Sequence, residues 1–192
     1  VIIINQGLKK YGGDLAIGAF GIVNRLVFIV VMIVMGLNQG MQPIAGYNFG
    51  AKLYGRVNKV LKLTIIYATA VTTFGFLVGM LVPDLVVGIF TSDAELTELS
   101  VTGLRITVMF FPIIGFQMVT SNFFQSIGMA GKAIFLSLTR QMLILLPCLL
   151  ILPQFFGVAG GGYSMPVSDL LASLIALVML VCQFRKFRTS PL

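Results

Sequence analysis

Arg25, Arg140 and Asp169 lie inside or at the edge of long apolar runs, and so do the amides Gln117 and Gln125. An ionisable group in hydrocarbon is costly unless it faces a cavity, an ion or a partner, so these residues are the first candidates for function. Arg25 falls well inside its run, directly after Asn24. A cavity or relay role fits it. So does an internal salt bridge, or bonding to backbone carbonyls that only orients helices. Asp169 is the candidate partner, because both belong to the same half of a bilayer; near a span edge it equally suits a helix cap or a cation site. Arg140, beside Gln141, either lines the same cavity or snorkels to the inner surface. Arg105 stands near the end of its run and is read as a snorkelling residue. Gln117, Ser121 and Gln125 recur every four residues, which puts them on one helical face. Such a face lines an aqueous cavity or bonds a neighbouring helix. Gln39, Gln42 and Pro43 cluster at the opposite edge of the first run and are candidates for an inner gate or hinge.

Catalytic chemistry has no foothold. The chain has no histidine, which removes the usual general base and the commonest zinc and haem ligand. It contains no G-x-S-x-G, no phosphate-binding glycine loop and no H-E-x-x-H. An intramembrane aspartyl protease needs two spaced carboxylates within its spans, and these too are missing. Cys148 and Cys182 stand towards the ends of successive spans, at opposite depths, so no disulfide is expected. The sequence thus predicts no enzyme, no metal site and no cofactor.

The elements that must position these residues are membrane helices. The 192 residues are 58% hydrophobic and 10% charged, against about 25% charged for a soluble domain. That much apolar surface has no hiding place in water. The net charge of +7 is explained by where the basic residues fall, so nucleic acid is not expected as a partner. A helix needs roughly 20 apolar residues to span the bilayer core. Five stretches qualify: residues 15–42, 57–82, 97–125, 132–152 and 165–184. Asp14 is the expected N-cap of the first span, and Pro43 is expected to bend or stop it. Pro83 stops the second, residues 128–131 the third and Pro153 the fourth. Ser92 or Thr91 is expected to cap a helix start at FTSDAELTELS, with Glu95 in the capping box. The glycine-rich stretch 154–165 reads as an outer loop.

Alternating spans place Lys52, Arg56, Lys59, Lys62, Lys132, Arg185, Lys186 and Arg188 on one side. The acids fall on the other side or at its edge. By the positive-inside rule the basic side is cytoplasmic, and so is the C-terminus. Lys9 and Lys10 are the exceptions. The opening run VIII is far too short to span and reads as the end of a helix that begins upstream, so a chain truncated at its N-terminus is expected.

Four segments carry a family resemblance. NQGMQPIAGYNFGAKLYGRVNKVLK at 38–62 resembles the loop after the eighth helix of MATE (multidrug and toxic compound extrusion) transporters, and KYGGDLAIGAFGIVNRL at 10–26 resembles the start of that helix. FTSDAELTELSVTGLRI at 90–106 is similar to the outer loop and start of the tenth. NFFQSIGMAGKAIFLSLTRQMLILLPCLLILP at 122–153 is similar to the eleventh helix and its approach. The resemblance implies the C-terminal half of a twelve-helix, two-lobed fold, an all-α polytopic bundle of five complete helices plus the end of a sixth over residues 1–192. It further implies a bacterial inner-membrane antiporter that exports cationic or amphipathic organic compounds in exchange for protons or sodium. A lipid or polysaccharide flippase of the same superfamily is the alternative. The missing N-terminal lobe and the bilayer would be its partners. Sodium-coupled members carry a carboxylate in the tenth helix; residues 101–127 hold none, so no coupling residue is transferred.

Overall fold

The computed structural model describes residues 2–139, 147 and 168–185, with side chains from residue 15 onward. Those residues form helices and no strand. In chain order they are α1 (Ile2–Gly50), α2 (Tyr54–Leu81), α3 (Pro83–Gly88), α4 (Ala94–Val108), α5 (Phe111–Ser126) and α6 (Ala130–Leu138), followed by α7 (Ser168–Arg185). Among the described residues three helices are long and apolar enough to cross a membrane, and α4 with α5 makes a fourth as a bent pair. The fold is all-α, as the apolar runs require. Arg140, Cys148, the loop at 154–165 and the remainder of the fourth span lie outside the described residues.

The first span differs from expectation at both ends. Gly12, Gly13 and Asp14 lie within α1, so Asp14 is not at a helix start. Pro43 does not stop the helix either, since α1 continues through it to Gly50. A proline forfeits the bond to the carbonyl four residues back, here that of Gln39. Both residues lie on the exposed side of α1, while Met41 and Ala45 are packed on the other side and hold the backbone helical. The chain then reverses tightly. Lys52 takes a positive φ of 58°, and the Leu53 N–H bonds the Asn48 carbonyl at 2.9 Å.

Pro83 does end a helix: α2 stops at Leu81 and the proline opens α3, where its missing N–H costs nothing. The cap of α4 is Asp93 rather than Ser92 or Thr91. Its carboxylate accepts from the Leu96 N–H at 3.0 Å, while Thr91 Oγ1 accepts from the Asp93 N–H at 3.2 Å. An anionic acceptor at a helix N-terminus also complements the helix dipole, which favours the aspartate.

The third span is two helices. α4 and α5 meet at 52° across Met109 and Phe110. Pro112 sits in the first turn of α5 and has no N–H to offer the Val108 carbonyl, so the helical ladder breaks there. At the other end of α5, Gly128 turns the chain with φ of 76°, a conformation favoured by glycine.

Two apolar cores hold these helices. One gathers Val34 and Met41 of α1, Leu61 of α2, Phe123 and Phe124 of α5, Leu136 of α6 and Leu180 of α7. The other joins Ile22 and Val23 of α1 to Val87, Leu104, Val108 and Phe111. Backbones approach closely at two glycines, as small residues permit between membrane helices. A Cβ at Gly46 would lie 2.8 Å from the Ser126 carbonyl oxygen. One at Gly115 would lie 2.7 Å from Thr72 Oγ1 and 2.9 Å from the Ala68 carbonyl oxygen. Gly46 meets Ser126 and Gln42 meets Asn122, each pair separated by 80 residues, so α1 and α5 run parallel.

Candidate functional site

Helical geometry divides α1 into two sides. Val23, Val34, Asn38, Met41, Ala45 and Asn48 are buried against the bundle. Opposite them, Gly21, Arg25, Met32, Gly36, Gln39 and Pro43 recur at three-, four- and seven-residue intervals, and all are exposed. Residues at those intervals share a face. Phe28 and Ile29, also exposed, border it. The stripe thus mixes small, polar and thioether groups with the apolar Phe28 and Ile29 in the middle of a span. That is unusual for a surface meant for lipid.

α2 provides the contrast within the same molecule. Its buried side is Val57, Leu61, Thr64, Ala68 and Thr72. Its exposed side beyond the basic end carries Leu63, Ile66, Tyr67, Ala70, Phe74, Leu77 and Leu81, apolar but for the Tyr67 hydroxyl. The two exposed faces therefore differ in chemistry: α2 presents what acyl chains solvate well, and the α1 stripe presents what they do not.

The predicted site residues fall into three groups. Arg25, Gln39, Pro43 and Gln125 are exposed, the first three on the α1 stripe. Gln117 and Asp169 are buried, at 3% and 5% exposure. Gln42 is half-buried and donates through Nε2 to Asn122 Oδ1 at 3.1 Å, so it ties α1 to α5 inside the bundle. Arg140 lies outside the described residues.

The suggested Arg25–Asp169 pair does not form: Arg25 is exposed on α1, whereas Asp169 is buried at the start of α7. Gln117, Ser121 and Gln125 share a helical face, yet not one environment. Gln117 is inside the bundle, its Oε1 without a partner among the described residues. Ser121 Oγ lies 3.4 Å from Ser137 Oγ of α6, and Gln125 is exposed. That face therefore serves helix packing over at least its middle turn.

Sequence reasoning underrated Asn38. It is 2% exposed, and among the described residues neither its Nδ2 nor its Oδ1 has a hydrogen-bond partner. It lies one turn before Gln42, and that i, i+4 spacing is the signal a sequence offers. At the end of the bundle near Lys52, Lys132 Nζ donates to Gln183 Oε1 and lies 5.2 Å from the centre of the Phe124 ring. This contact closes α6 and α7 against α5 with an ammonium stabilised by an amide and an aromatic face. Among the described residues no group of three or more histidine, cysteine, aspartate or glutamate side chains could hold a metal ion.

Comparison with known proteins places this arrangement. The chain is 28% identical over 178 residues to the multidrug export protein MepA of Staphylococcus aureus (strain MSSA476), covering 93% of this chain and 39% of that protein. It thus spans less than half the length of the relative it matches. Among solved structures it resembles the MATE multidrug transporter DinF-BH, determined in complex with a ligand, at 36% identity and a TM-score of 0.82, over 95% of this chain and 41% of that one. It also superposes on an outward-facing MATE family transporter of the MOP superfamily with a TM-score of 0.90 at 18% identity, a likeness of fold alone, covering 98% of this chain and 43% of that one. The MatE family model matches residues 2–151, and the chain belongs to that family of multi-pass membrane transporters, which are not enzymes.

Proposed function

We propose that this chain forms one lobe of a secondary active exporter of cationic or amphipathic organic compounds, driven by an inward flow of protons or sodium. The observation that carries the reading is the exposed α1 stripe of Gly21, Arg25, Met32, Gly36, Gln39 and Pro43. A mid-span face of small, polar and thioether groups suits a hydrated path shared with a second lobe, and methionine adapts its shape to varied ligands. The similarity to MepA and to DinF-BH supports multidrug compounds as cargo. Alternating access then proceeds by rocking of one lobe against the other around that path. Gln39 and Pro43 stand at the inner end of the stripe and serve the gate; Gln42 supports them from within the bundle through Asn122. Gln125 joins this inner end from α5. Gln117 and Asp169, both buried, act on the path through neighbouring helices.

The test is accumulation of a lipophilic cation dye in drug-sensitive cells that express the whole protein. Expression lowers dye accumulation, collapse of the ion gradient restores it, and Arg25→Gln changes transport several-fold. Accumulation indifferent to both expression and the gradient refutes the reading. One observation favours the flippase alternative: Arg25 is an exposed cation on the path face, suited to an anionic headgroup. Charge reversal at Arg25 that abolishes transport of a lipid-linked substrate and spares drug efflux would decide for it.

A further inference from the structure

The exposed stripe of α2 does not end with its apolar residues. Continuing it back at three- and four-residue steps from Leu63 reaches Lys59 and then Arg56, both exposed. Arg56, Lys59, Leu63, Ile66, Ala70, Phe74, Leu77 and Leu81 thus lie within about 100° of one helical arc, with Lys62 at its edge. Ile66 is 61% exposed and Phe74 is 68% exposed. The apolar part is long enough for a lipid tail. From Lys59 to Phe74 is 15 steps of about 1.5 Å, a rise of about 22 Å, which covers one leaflet from phosphate level to tail ends.

Among the described residues the basic start of α2 has no carboxylate paired with it. Lys52, Arg56, Lys59 and Lys62 are all exposed. The acids with described side chains at α3 and α4, Asp84, Asp93, Glu95 and Glu98, belong to the far end of α2. No described carboxylate pairs with Arg56 or Lys59. Charge complementarity favours an anion at that end, and an exposed apolar track leads away from it.

We propose that the face of α2 formed by Arg56, Lys59, Leu63, Ile66 and Phe74 is a binding site for an acidic phospholipid. Arg56 and Lys59 take the headgroup phosphate, and the acyl chain lies along the apolar track. Arginine contributes a planar fork that matches phosphate oxygens in pairs, and lysine a point charge beside it. The site stands on the membrane placement of α2 and is independent of what the protein transports.

A single tryptophan at Phe74 reports the occupant. Phe74→Trp, in the whole protein with its other tryptophans replaced, is reconstituted in phosphatidylcholine with brominated phosphatidylglycerol or brominated phosphatidylcholine. Quenching by the brominated phosphatidylglycerol exceeds that by phosphatidylcholine by about fivefold or more in apparent affinity, since each basic group near an anionic headgroup is worth about a factor of five. Arg56→Gln with Lys59→Gln removes the preference, while quenching by phosphatidylcholine persists and shows that the helix is still in the bilayer. Equal quenching by both lipids in the parent protein overturns the site. A preference that survives the double substitution overturns the assignment to Arg56 and Lys59. Absence of quenching by either lipid means that protein, from the second lobe or a second copy, covers the face, and it overturns the proposal as well.

Discussion

Asn38 is the residue whose position most needs a reason. Its amide is buried with both polar atoms unpartnered among the described residues, and an unsatisfied buried polar group costs about 1–3 kcal/mol. Leucine has nearly the same shape and no such cost. Asn38→Leu is therefore expected to stabilise the protein by about 1–3 kcal/mol, read as a higher unfolding midpoint in detergent. A lower midpoint would show that the amide has a partner in the working protein. Gln42 illustrates the opposite case, because its amide is satisfied by Asn122 across 80 residues of sequence. A sequence shows that Asn38 and Gln42 share a face. It does not show that one finds a partner and the other does not, since that depends on where α5 places Asn122. Arg25 was legible as an intramembrane cation. Its separation from Asp169 was not, because helix rotation decides which side chains face inward.

At the scale of elements, glycine and proline control how helices meet. Gly115 has Thr72 Oγ1 and the Ala68 carbonyl where a Cβ would go, whereas Gly21 has nothing within 4 Å. Alanine at Gly115 must push α5 from α2, at a cost of about 1–3 kcal/mol. Alanine at Gly21, on an exposed face, stabilises by up to about 1 kcal/mol through helix propensity. Unfolding midpoints of the two variants should move in opposite directions; parallel shifts would refute the close approach of α2 and α5. Pro112 governs the 52° break. Pro112→Ala restores the N–H that bonds the Val108 carbonyl and straightens the pair. Spin labels at the exposed Thr102 and Gln125 should then move apart, and an unchanged distance would place the cause of the bend in packing. The described helices Leu15–Gly50, Tyr54–Leu81 and Ser168–Arg185 coincide with apolar stretches readable in the sequence. The break was missed because hydropathy sums over Pro112, and the passage of α1 through Pro43 was missed because the exposed location of that proline is a tertiary fact.

For the molecule as a whole, charge and fold agree on one axis. α1 ends and α2 begins beside Lys52, Arg56 and Lys59, and the Lys132–Gln183 bond brings the start of α6 to the end of α7. The parallel course of α1 and α5 carries the end of α5 to the same side as the end of α1. Every described basic residue from Lys52 onward, except Arg105 of α4, therefore gathers at one end of the bundle. Asp84, Asp93, Glu95 and Glu98 gather at the other. Moving the basic end across a membrane would carry Lys52, Arg56, Lys59, Lys62, Lys132 and Arg185 with it, and retention of lysine and arginine on the cytoplasmic side orients such proteins. The C-terminus following Arg185 is accordingly expected in the cytoplasm. A green fluorescent protein fused after Leu192 should fluoresce, and alkaline phosphatase fused at the same point should be inactive. Fusion at Ser92, beyond α3, should give the reverse pair. Active phosphatase at the C-terminus would invert the bundle, turn the α2 headgroup site towards the outer leaflet, and remove the inner gate assigned to Gln39 and Pro43.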